Sequence, residues 1–191
     1  MLFLGGFFQS ALFFMGSSRM EFNKVRSNLE QKFLDLTLKI LDETGYNLYD
    51  LEYVSGSATL RVFIIDPKTN SALIDDCIKV DRAFNPYCET ENWIPDDFVL
   101  EVSSPGVYRS LKTLSHFEMA KGEFIECSIS GDIQADQWSS EVSKKLAAAK
   151  KLRGKLINVE EKEFTLDFDG LVLKLKYEQV KKACLDPEIG Q

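Results

Sequence analysis

The sequence predicts an α+β protein in which an α/β domain is followed by a small β-barrel. Over residues 20–112, apolar residues recur first at helical spacing and then at the alternating spacing of strands, in the order helix, strand, strand, helix, strand. Beyond residue 112 the pattern changes to short alternating segments separated by tight turns. The first order is typical of a two-layer α/β domain, and the second of a small barrel. We therefore predict a three-stranded sheet with two helices over 20–112 and a barrel over 113–191.

Two helices are predicted in the α/β domain. The first has apolar residues three or four positions apart, the spacing of one helix face: Phe22, Val25, Leu29, Phe33, Leu36 and Ile40. Gly45 follows its last turn as a candidate left-handed C′ residue. The second helix has an apolar face made of Cys77, Val80, Phe84 and Tyr87. Asp75 and Asp76 belong to its first turn, where carboxylates favour the positive end of the helix dipole, and Pro86 marks its end.

Three strands complete this domain. Residues 46–54 and 60–65 alternate and enclose a turn at 55–57, which predicts a hairpin. Residues 98–102 form the third strand, and the segment 103–106, Ser-Ser-Pro-Gly, follows it. A Pro-Gly pair suits a type II turn, in which glycine takes a positive φ. We expect Gly106 to hold that position.

The C-terminal part predicts a barrel of the SH3 or Sm kind. Ser115 is the candidate cap of a short helix over 116–121, which Gly122 ends. Residues 130–150 are predicted to form an irregular or partly helical segment. Alternating apolar residues predict strands over 125–129, 152–159, 164–168 and 171–177, and Asp169-Gly170 is a strong hairpin signal between the last two.

Composition excludes several classes of function. The 191 residues carry 23 Lys and Arg against 30 Asp and Glu, a net charge of −7, so a protein that coats nucleic acid by bulk charge is excluded. One histidine cannot build a multi-histidine metal site. The four cysteines form no C-x-x-C pair, which excludes zinc ribbons and favours free thiols in a reducing cytoplasm.

A basic run near the middle of the C-terminal part is the clearest local charge feature. No acidic residue interrupts it from 144 to 155, and its members are Lys144, Lys145, Lys150, Lys151, Arg153 and Lys155. Such segregated charge positions nucleic-acid phosphates, and it also occurs as an ordinary solvated segment. No aromatic residues are interleaved with it, so base stacking is not indicated.

Catalysis is not indicated by any residue pattern, and we predict that the chain is not an enzyme and needs no metal or cofactor. The acids Asp75, Asp76 and Asp81 could bind Mg²⁺, but helix capping explains the first two more simply. Phosphate-binding glycine loops are missing from the sequence. Ser103, Ser104 and His116 could suggest hydrolysis, but no G-x-S-x-G elbow accompanies them.

The first 18 residues, MLFLGGFFQSALFFMGSS, contain no charge. They lack the preceding Lys or Arg of a secretory signal and are short for a membrane span, which needs about 20 apolar residues. Because an amphipathic charged pattern begins directly after Met20, we predict a native start near Met20, with residues 1–19 as an apolar extension. A cleaved export signal is the alternative.

Several motifs occur together in the order and spacing of one family. They are LYDLEYV (48–54), LRVFIID (60–66), IDDCIKVDRAF (74–84), LEVSSPGVYRSL (100–111) and LRGKLINVEEKEFTLDFDG (152–170). Together they resemble the bacterial ribosome maturation factor RimP family, over residues 22–187. Tyr108 stands where that family usually has an acid, and Ser110 where it has proline.

The resemblance implies an α/β domain followed by an SH3-like barrel, and a function in assembly. Members of this family bind the immature 30S subunit in the cytoplasm and assist its late assembly. The implied partners are the small-subunit ribosomal protein numbered twelve and 16S-type rRNA, with no membrane and with the protein a monomer. The resemblance and the charge pattern together give these candidate binding residues: Ser103, Ser104, Pro105, Gly106, Arg109, Lys144, Lys145, Lys150, Lys151, Arg153, Lys155, Glu160, Glu161 and Asp167.

The charge pattern suggests which part of the chain would bind each partner. Residues 20–114 hold 16 acids against 10 bases, which suits a basic ribosomal protein, while the basic run suits rRNA. Should the barrel bind the protein partner instead, its acids Glu160, Glu161 and Asp167 are the candidates. The alternative function is a peptide- or RNA-binding adaptor with an SH3-like module and no role in ribosome assembly.

Overall fold

The computed structural model describes residues 26–187, and these divide into two compact units, 26–107 and 108–187. The predictions for the apolar extension 1–19, for a start near Met20 and for the first residues of the first helix lie outside the described residues. Each unit has its own apolar core.

The first unit contains the predicted three strands and two helices. Its elements follow one another as α1 (Asn28–Thr44), β1 (Asn47–Val54), β2 (Thr59–Ile65), α2 (Ile74–Thr90) and β3 (Val99–Ser103). The sheet has the order β1-β2-β3, with β1 antiparallel and β3 parallel to β2. This confirms the mixed helix and strand composition expected of the α/β domain.

Phe33 lies at the centre of this unit's core and is fully buried. Its ring centroid is 4.9 Å from that of Tyr53, 5.0 Å from that of Trp93 and 5.1 Å from that of Phe98. These rings come from β1 and from the segment between α2 and β3. The aromatic cluster therefore ties α1 to the sheet and to the connection that leads into β3.

Both ends of α1 are capped by residues that the sequence supplies locally. Ser27 accepts from the Glu30 backbone N–H, and the Glu30 carboxylate accepts from the Ser27 N–H, a reciprocal capping box. At the other end Gly45 has φ +83° and donates its N–H to the Leu41 carbonyl at 2.9 Å. The predicted left-handed C′ glycine is confirmed.

The prediction that Pro86 ends the second helix is wrong, because α2 continues to Thr90. Pro86 cannot donate to the carbonyl of Arg82, but both residues are exposed and water can satisfy that carbonyl. The helix resumes at once, since the Thr90 hydroxyl donates to the Pro86 carbonyl and the Glu91 N–H to that of Tyr87.

The second unit is mainly a five-stranded antiparallel sheet, with the short helices α3 (Leu114–Met119) and α4 (Lys144–Ala147). The strands are β4 (Phe124–Ile129), β5 (Lys151–Val159), β6 (Glu163–Phe168), β7 (Leu171–Lys176) and β8 (Val180–Leu185). Their order is β7-β6-β5-β4-β8. The end strands β7 and β8 do not pair with each other, and each forms an isolated bridge to another segment, Leu173 with Trp138 and Cys184 with Ser110. The antiparallel sheet is confirmed, whereas closure into a barrel is not.

Two local predictions in this unit need correction. Thr113, not Ser115, caps α3, because the Thr113 hydroxyl accepts from the His116 N–H at 3.3 Å. Strand β8 is absent from the sequence prediction. Its pairing with β4 shifts register at Ser128 and Ile129, so its buried residues do not alternate regularly and its pattern does not resemble a strand.

The four cysteines are free thiols: Cys77, Cys88, Cys127 and Cys184. Cys127 is fully buried in the second core, and this burial raises the pKa of its thiol. Within residues 26–187, none of the helices has both the length and the apolar character that crossing a membrane requires.

Candidate binding surfaces

The Ser-Ser-Pro-Gly loop begins at the last residue of β3. Ser103 pairs with Phe63 on β2, and the chain leaves the sheet over Ser104 and Pro105. Gly106 has φ +78°, close to the value of about +80° at the third position of a type II turn. A Cβ built on Gly106 would meet nothing within 4 Å. The glycine is therefore needed for its backbone conformation and not for space, as the sequence predicts.

We expect Gly106→Val to lower the free energy of unfolding by about 1–3 kcal/mol, because a β-branched residue is strained at a positive φ. Gly56→Val is the matched control, since a Cβ there also meets nothing within 4 Å and Gly56 has no positive φ. Thermal or denaturant unfolding of both variants measures the difference. An unchanged unfolding curve for Gly106→Val, combined with lost ribosome binding, would show that the loop is a contact site and not a structural turn.

Arg109 lies in the other compact unit from the loop. Its carbonyl accepts from the Leu185 N–H at 2.9 Å, and the neighbouring Leu111 N–H donates to the Ala183 carbonyl. The segment after the loop is thus fixed along β8. The structure describes residues 103–106 and Arg109 as parts of separate units, although the sequence motif runs through both.

The basic run is placed on two adjacent elements of the second unit. Lys144 and Lys145 begin α4, which Ser143 caps, and both are exposed. Along β5 the residues alternate, so Lys151, Arg153 and Lys155 face solvent while the residues between them are buried. Three of the six bases therefore share one face of a strand.

Two of the six bases are already paired within the fold. Lys151 Nζ lies 2.9 Å from a Glu126 carboxylate oxygen, and this contact raises the pKa of Lys151. Arg153 Nε lies 2.6 Å from an Asp186 carboxylate oxygen, and its guanidinium stacks over the Phe124 ring at 4.4 Å. Glu126 and Asp186 are distant from these bases in sequence, so a linear charge pattern does not reveal the two ion pairs.

The other four bases are exposed and form no ion pair with any residue that the structure describes. They are Lys144, Lys145, Lys150 and Lys155. Because their ammonium groups are not committed to a neighbouring carboxylate, binding a phosphate breaks no contact of the fold. Of the candidate bases, these four are therefore the stronger candidates for phosphate binding.

Lys144 and Lys150 both line a cleft of about 400 Å³ beside α4. The remaining lining comes from small or apolar residues of 131–133 and 147–149, together with Asp132. Lys145 is not among the lining residues. The fold thus brings two of the six bases together at a concave surface, which their separation in sequence does not predict.

Lys182 is a basic residue that the sequence analysis missed. Lys182 on β8 and Lys151 on β5 are both register partners of Ser128 on the intervening strand β4. Register partners point to the same face of a sheet, and β5 and β8 are about 10 Å apart as second neighbours. The basic run therefore continues in space across β4 to Lys182, which only knowledge of the β4–β8 pairing could have revealed. We call the basic run together with Lys182 the basic surface.

The candidate acids of the second unit have local roles. The Asp167 carboxylate accepts from the Gly170 N–H at 2.8 Å and so supports the turn in which Asp169 and Gly170 both take positive φ. Glu160 accepts from the Asn158 side-chain amide at 2.9 Å, and Glu161 is exposed. The pair Glu160-Glu161 follows the end of β5, at the opposite end from Lys151.

The alternatives that involved metal or catalysis use residues with structural partners. Asp76 accepts from the Tyr46 hydroxyl at 2.6 Å and from the Leu73 N–H at 2.8 Å, and the tyrosine hydroxyl lowers the pKa of Asp76. His116 is buried, and its Nδ1 accepts from the Lys112 N–H at 3.1 Å. Over residues 26–187 no group of three His, Cys, Asp or Glu is placed to hold a metal ion.

The two units differ in charge. Residues 26–107 contain 15 acidic against 7 basic residues, whereas residues 108–187 contain 13 acidic against 14 basic residues. The negative charge of the protein therefore belongs to the first unit, and the second unit combines balanced overall charge with a local basic surface. Such segregation suits partners of opposite charge.

Part of the chain matches a known protein family. Residues 36–108 match the family model described as the RimP N-terminal domain. The matched segment begins within α1, contains the whole sheet of the first unit and includes the loop 103–106. Arg109 and the basic surface lie beyond it.

Proposed function

The chain belongs to the RimP family, and from this premise we propose that it binds the immature 30S subunit and assists its late assembly. The observation that carries the proposal is the match over residues 36–108, which includes the Ser-Ser-Pro-Gly loop of the sequence resemblance. Motifs in the second unit, LRGKLINVEEKEFTLDFDG at 152–170, support extending the proposal beyond the matched segment.

The two units are proposed to hold different partners. Ribosomal proteins are strongly basic, so the first unit, with 15 acids against 7 bases, is the proposed contact for the small-subunit ribosomal protein numbered twelve. The unpaired lysines beside α4 and on β5 are the proposed contacts for 16S-type rRNA. One protein would thus bind a ribosomal protein and the adjacent RNA together.

The proposal includes no chemical step. We propose that the protein is a binding factor without metal, cofactor or catalytic activity, and that it acts as a monomer in the cytoplasm. The structural partners of Asp76 and His116 support this, because both groups are already used inside the fold.

The second unit is proposed to be an SH3-like barrel. The support is a strand order in which β4 pairs with both β5 and β8, together with one core to which all five strands contribute. A single core inside five strands needs a strongly curved sheet.

Sedimentation of a cell lysate on a sucrose gradient tests the proposal. The tagged protein is expected with free 30S particles and not with 70S ribosomes, because an assembly factor leaves before subunits join. Presence only at the top of the gradient, or equal amounts on 30S and 70S, would contradict the proposal. The former result would favour the adaptor function.

A further inference from the structure

Three large apolar side chains are exposed together at the start of α2. Leu73 is 73% exposed, Ile74 77% and Ile78 40%. Leu73 and Ile74 are consecutive, and Ile78 lies one helical turn after Ile74 on the same face. Single exposed apolar residues are ordinary, but a contiguous group marks an interaction site. We call these three residues the α2 patch.

The α2 patch does not serve the core of its own unit. Helix α2 packs through Val80 and Phe84, which are 0% and 1% exposed. At 100° per residue, Ile74 and Ile78 point about 80–160° away from these two, and neither is among the residues that pack against the core. The folded unit would therefore keep its core without the patch.

Leu73 also does not stabilise the helix that it begins. It occupies the N-cap position, where Ser, Thr, Asp and Asn stabilise a helix because their side chains accept from the first-turn N–H groups. A leucine side chain cannot accept a hydrogen bond. Asp76 partly compensates by accepting from the Leu73 N–H. Neither helix stability nor core packing explains a leucine at this position. The remaining explanation is that Leu73 takes part in recognising a partner.

Two exposed acids flank the α2 patch. Asp75 lies between its residues in sequence, and Asp81 lies three positions after Ile78, both exposed. Of the nearby cations, Lys79 donates to the Thr44 carbonyl at 2.9 Å, towards the end of α1. Arg82 is an exposed cation on the patch side of the helix.

We propose that the α2 patch is the docking surface for a basic protein segment that inserts apolar side chains between these acids. Assigning that segment to a ribosomal protein rests on the proposed function. A second copy of this chain is disfavoured by charge, because the unit that bears the patch has eight more acids than bases. A stable dimer also buries about 800 Å² on each partner, and three aliphatic side chains supply well under half of that.

The test compares Ile74→Ser/Ile78→Ser with Leu38→Ser in the full chain. Leu38 is the matched control because it is also an aliphatic residue on a helix and is 47% exposed. The probe is the isolated small-subunit ribosomal protein numbered twelve, with affinity measured by calorimetry. We expect the double variant to bind about tenfold more weakly or worse, and Leu38→Ser to bind as the wild type does.

Leu73→Asn separates recognition from folding. Asparagine is a preferred N-cap, so this variant should melt no lower than the wild type and yet bind the ribosomal protein several-fold more weakly. Equal affinity of wild type and both patch variants would overturn the proposal, as would a wild type without measurable affinity for this probe. Sedimentation velocity showing a wild-type dimer that the double variant dissociates would also overturn it, in favour of a second copy.

The proposed function fails by a different result. Wild-type protein missing from free 30S particles contradicts the role in assembly whatever the patch does. If the wild type and the double variant bind both the 30S particle and the isolated ribosomal protein equally well, only the proposed docking surface is contradicted.

Discussion

Replacing Lys144, Lys145 and Lys150 with Glu is expected to lower the affinity for free 30S particles by about 100-fold at low salt, taking roughly 1 kcal/mol for each lost phosphate contact. All three are exposed and form no ion pair with a described residue, and two of them line one cleft. Each lysine that engages a phosphate releases counterions, so the salt dependence should also flatten by about one unit of slope per lysine. Filter binding over a salt series measures both quantities.

The matched control is Lys121→Glu with Lys162→Glu and Lys176→Glu. These lysines are exposed in the same unit and give the same change of charge, but they lie outside the basic run. Lys151 is left unchanged because removing it would free Glu126 from its ion pair. For both triple variants the free energy of unfolding should lie within about 0.5 kcal/mol of the wild-type value, because substitutions of exposed residues usually change it little.

Three results would contradict this account of the basic surface. The RNA assignment fails if the first triple variant keeps the wild-type salt dependence or if the control loses as much affinity. The division of partners fails if binding to the isolated ribosomal protein disappears with the RNA contact. The second unit would then be the protein-binding module, with Glu160, Glu161 and Asp167 as the next positions to change.

Phe33→Ala is expected to lower the free energy of unfolding of the first unit by about 3–5 kcal/mol. The ring is fully buried and contacts three other aromatic rings, so its removal costs burial and leaves a cavity. This loss is a large fraction of the stability of a typical domain, about 5–15 kcal/mol. The acidic surface and the α2 patch depend on that unit being folded.

The tryptophans of the chain are the fluorescent reporters for this measurement. Of its two tryptophans, Trp93 packs against Phe33 and Trp138 belongs to the second core. In a Trp138→Phe background, urea unfolding followed by fluorescence reports on Trp93 alone. Trp138 Nε1 is buried without a hydrogen-bond partner among the described residues, so its loss breaks no hydrogen bond.

Phe164→Ala is the control, because Phe164 is fully buried in the second unit against Phe117 and Tyr177. It should leave the Trp93 transition in place, whereas Phe33→Ala moves it to lower urea. A Trp93 transition that Phe33→Ala does not move would contradict the assigned core.

Local sequence signals predicted the first unit well. The helix period, the Gly45 cap and the positive φ of Gly106 depend on residues close in sequence, and the structure confirms the latter two. Pro86 shows the limit of such signals. Whether a proline ends a helix depends on whether the carbonyl that loses its donor is exposed, which is a property of tertiary structure.

The candidate binding surfaces were predicted less completely, because they combine distant residues. The basic run is a linear feature, but its pairing with Glu126 and Asp186 and its extension to Lys182 arise from strand register. The α2 patch was hidden for another reason. Leu73, Ile74 and Ile78 resemble core residues in a sequence, and only their exposure distinguishes them.

The ribosome profile of a deletion strain tests the central claim most directly. On a sucrose gradient, with mass spectrometry of the 30S peak, loss of the protein should increase free 30S and 50S subunits relative to 70S ribosomes. The accumulated 30S particles should be deficient in late-assembling proteins, and the wild-type gene should restore the profile. An unchanged ratio of subunits to 70S ribosomes, with a 30S peak of normal composition, would contradict a role in assembly of the small subunit.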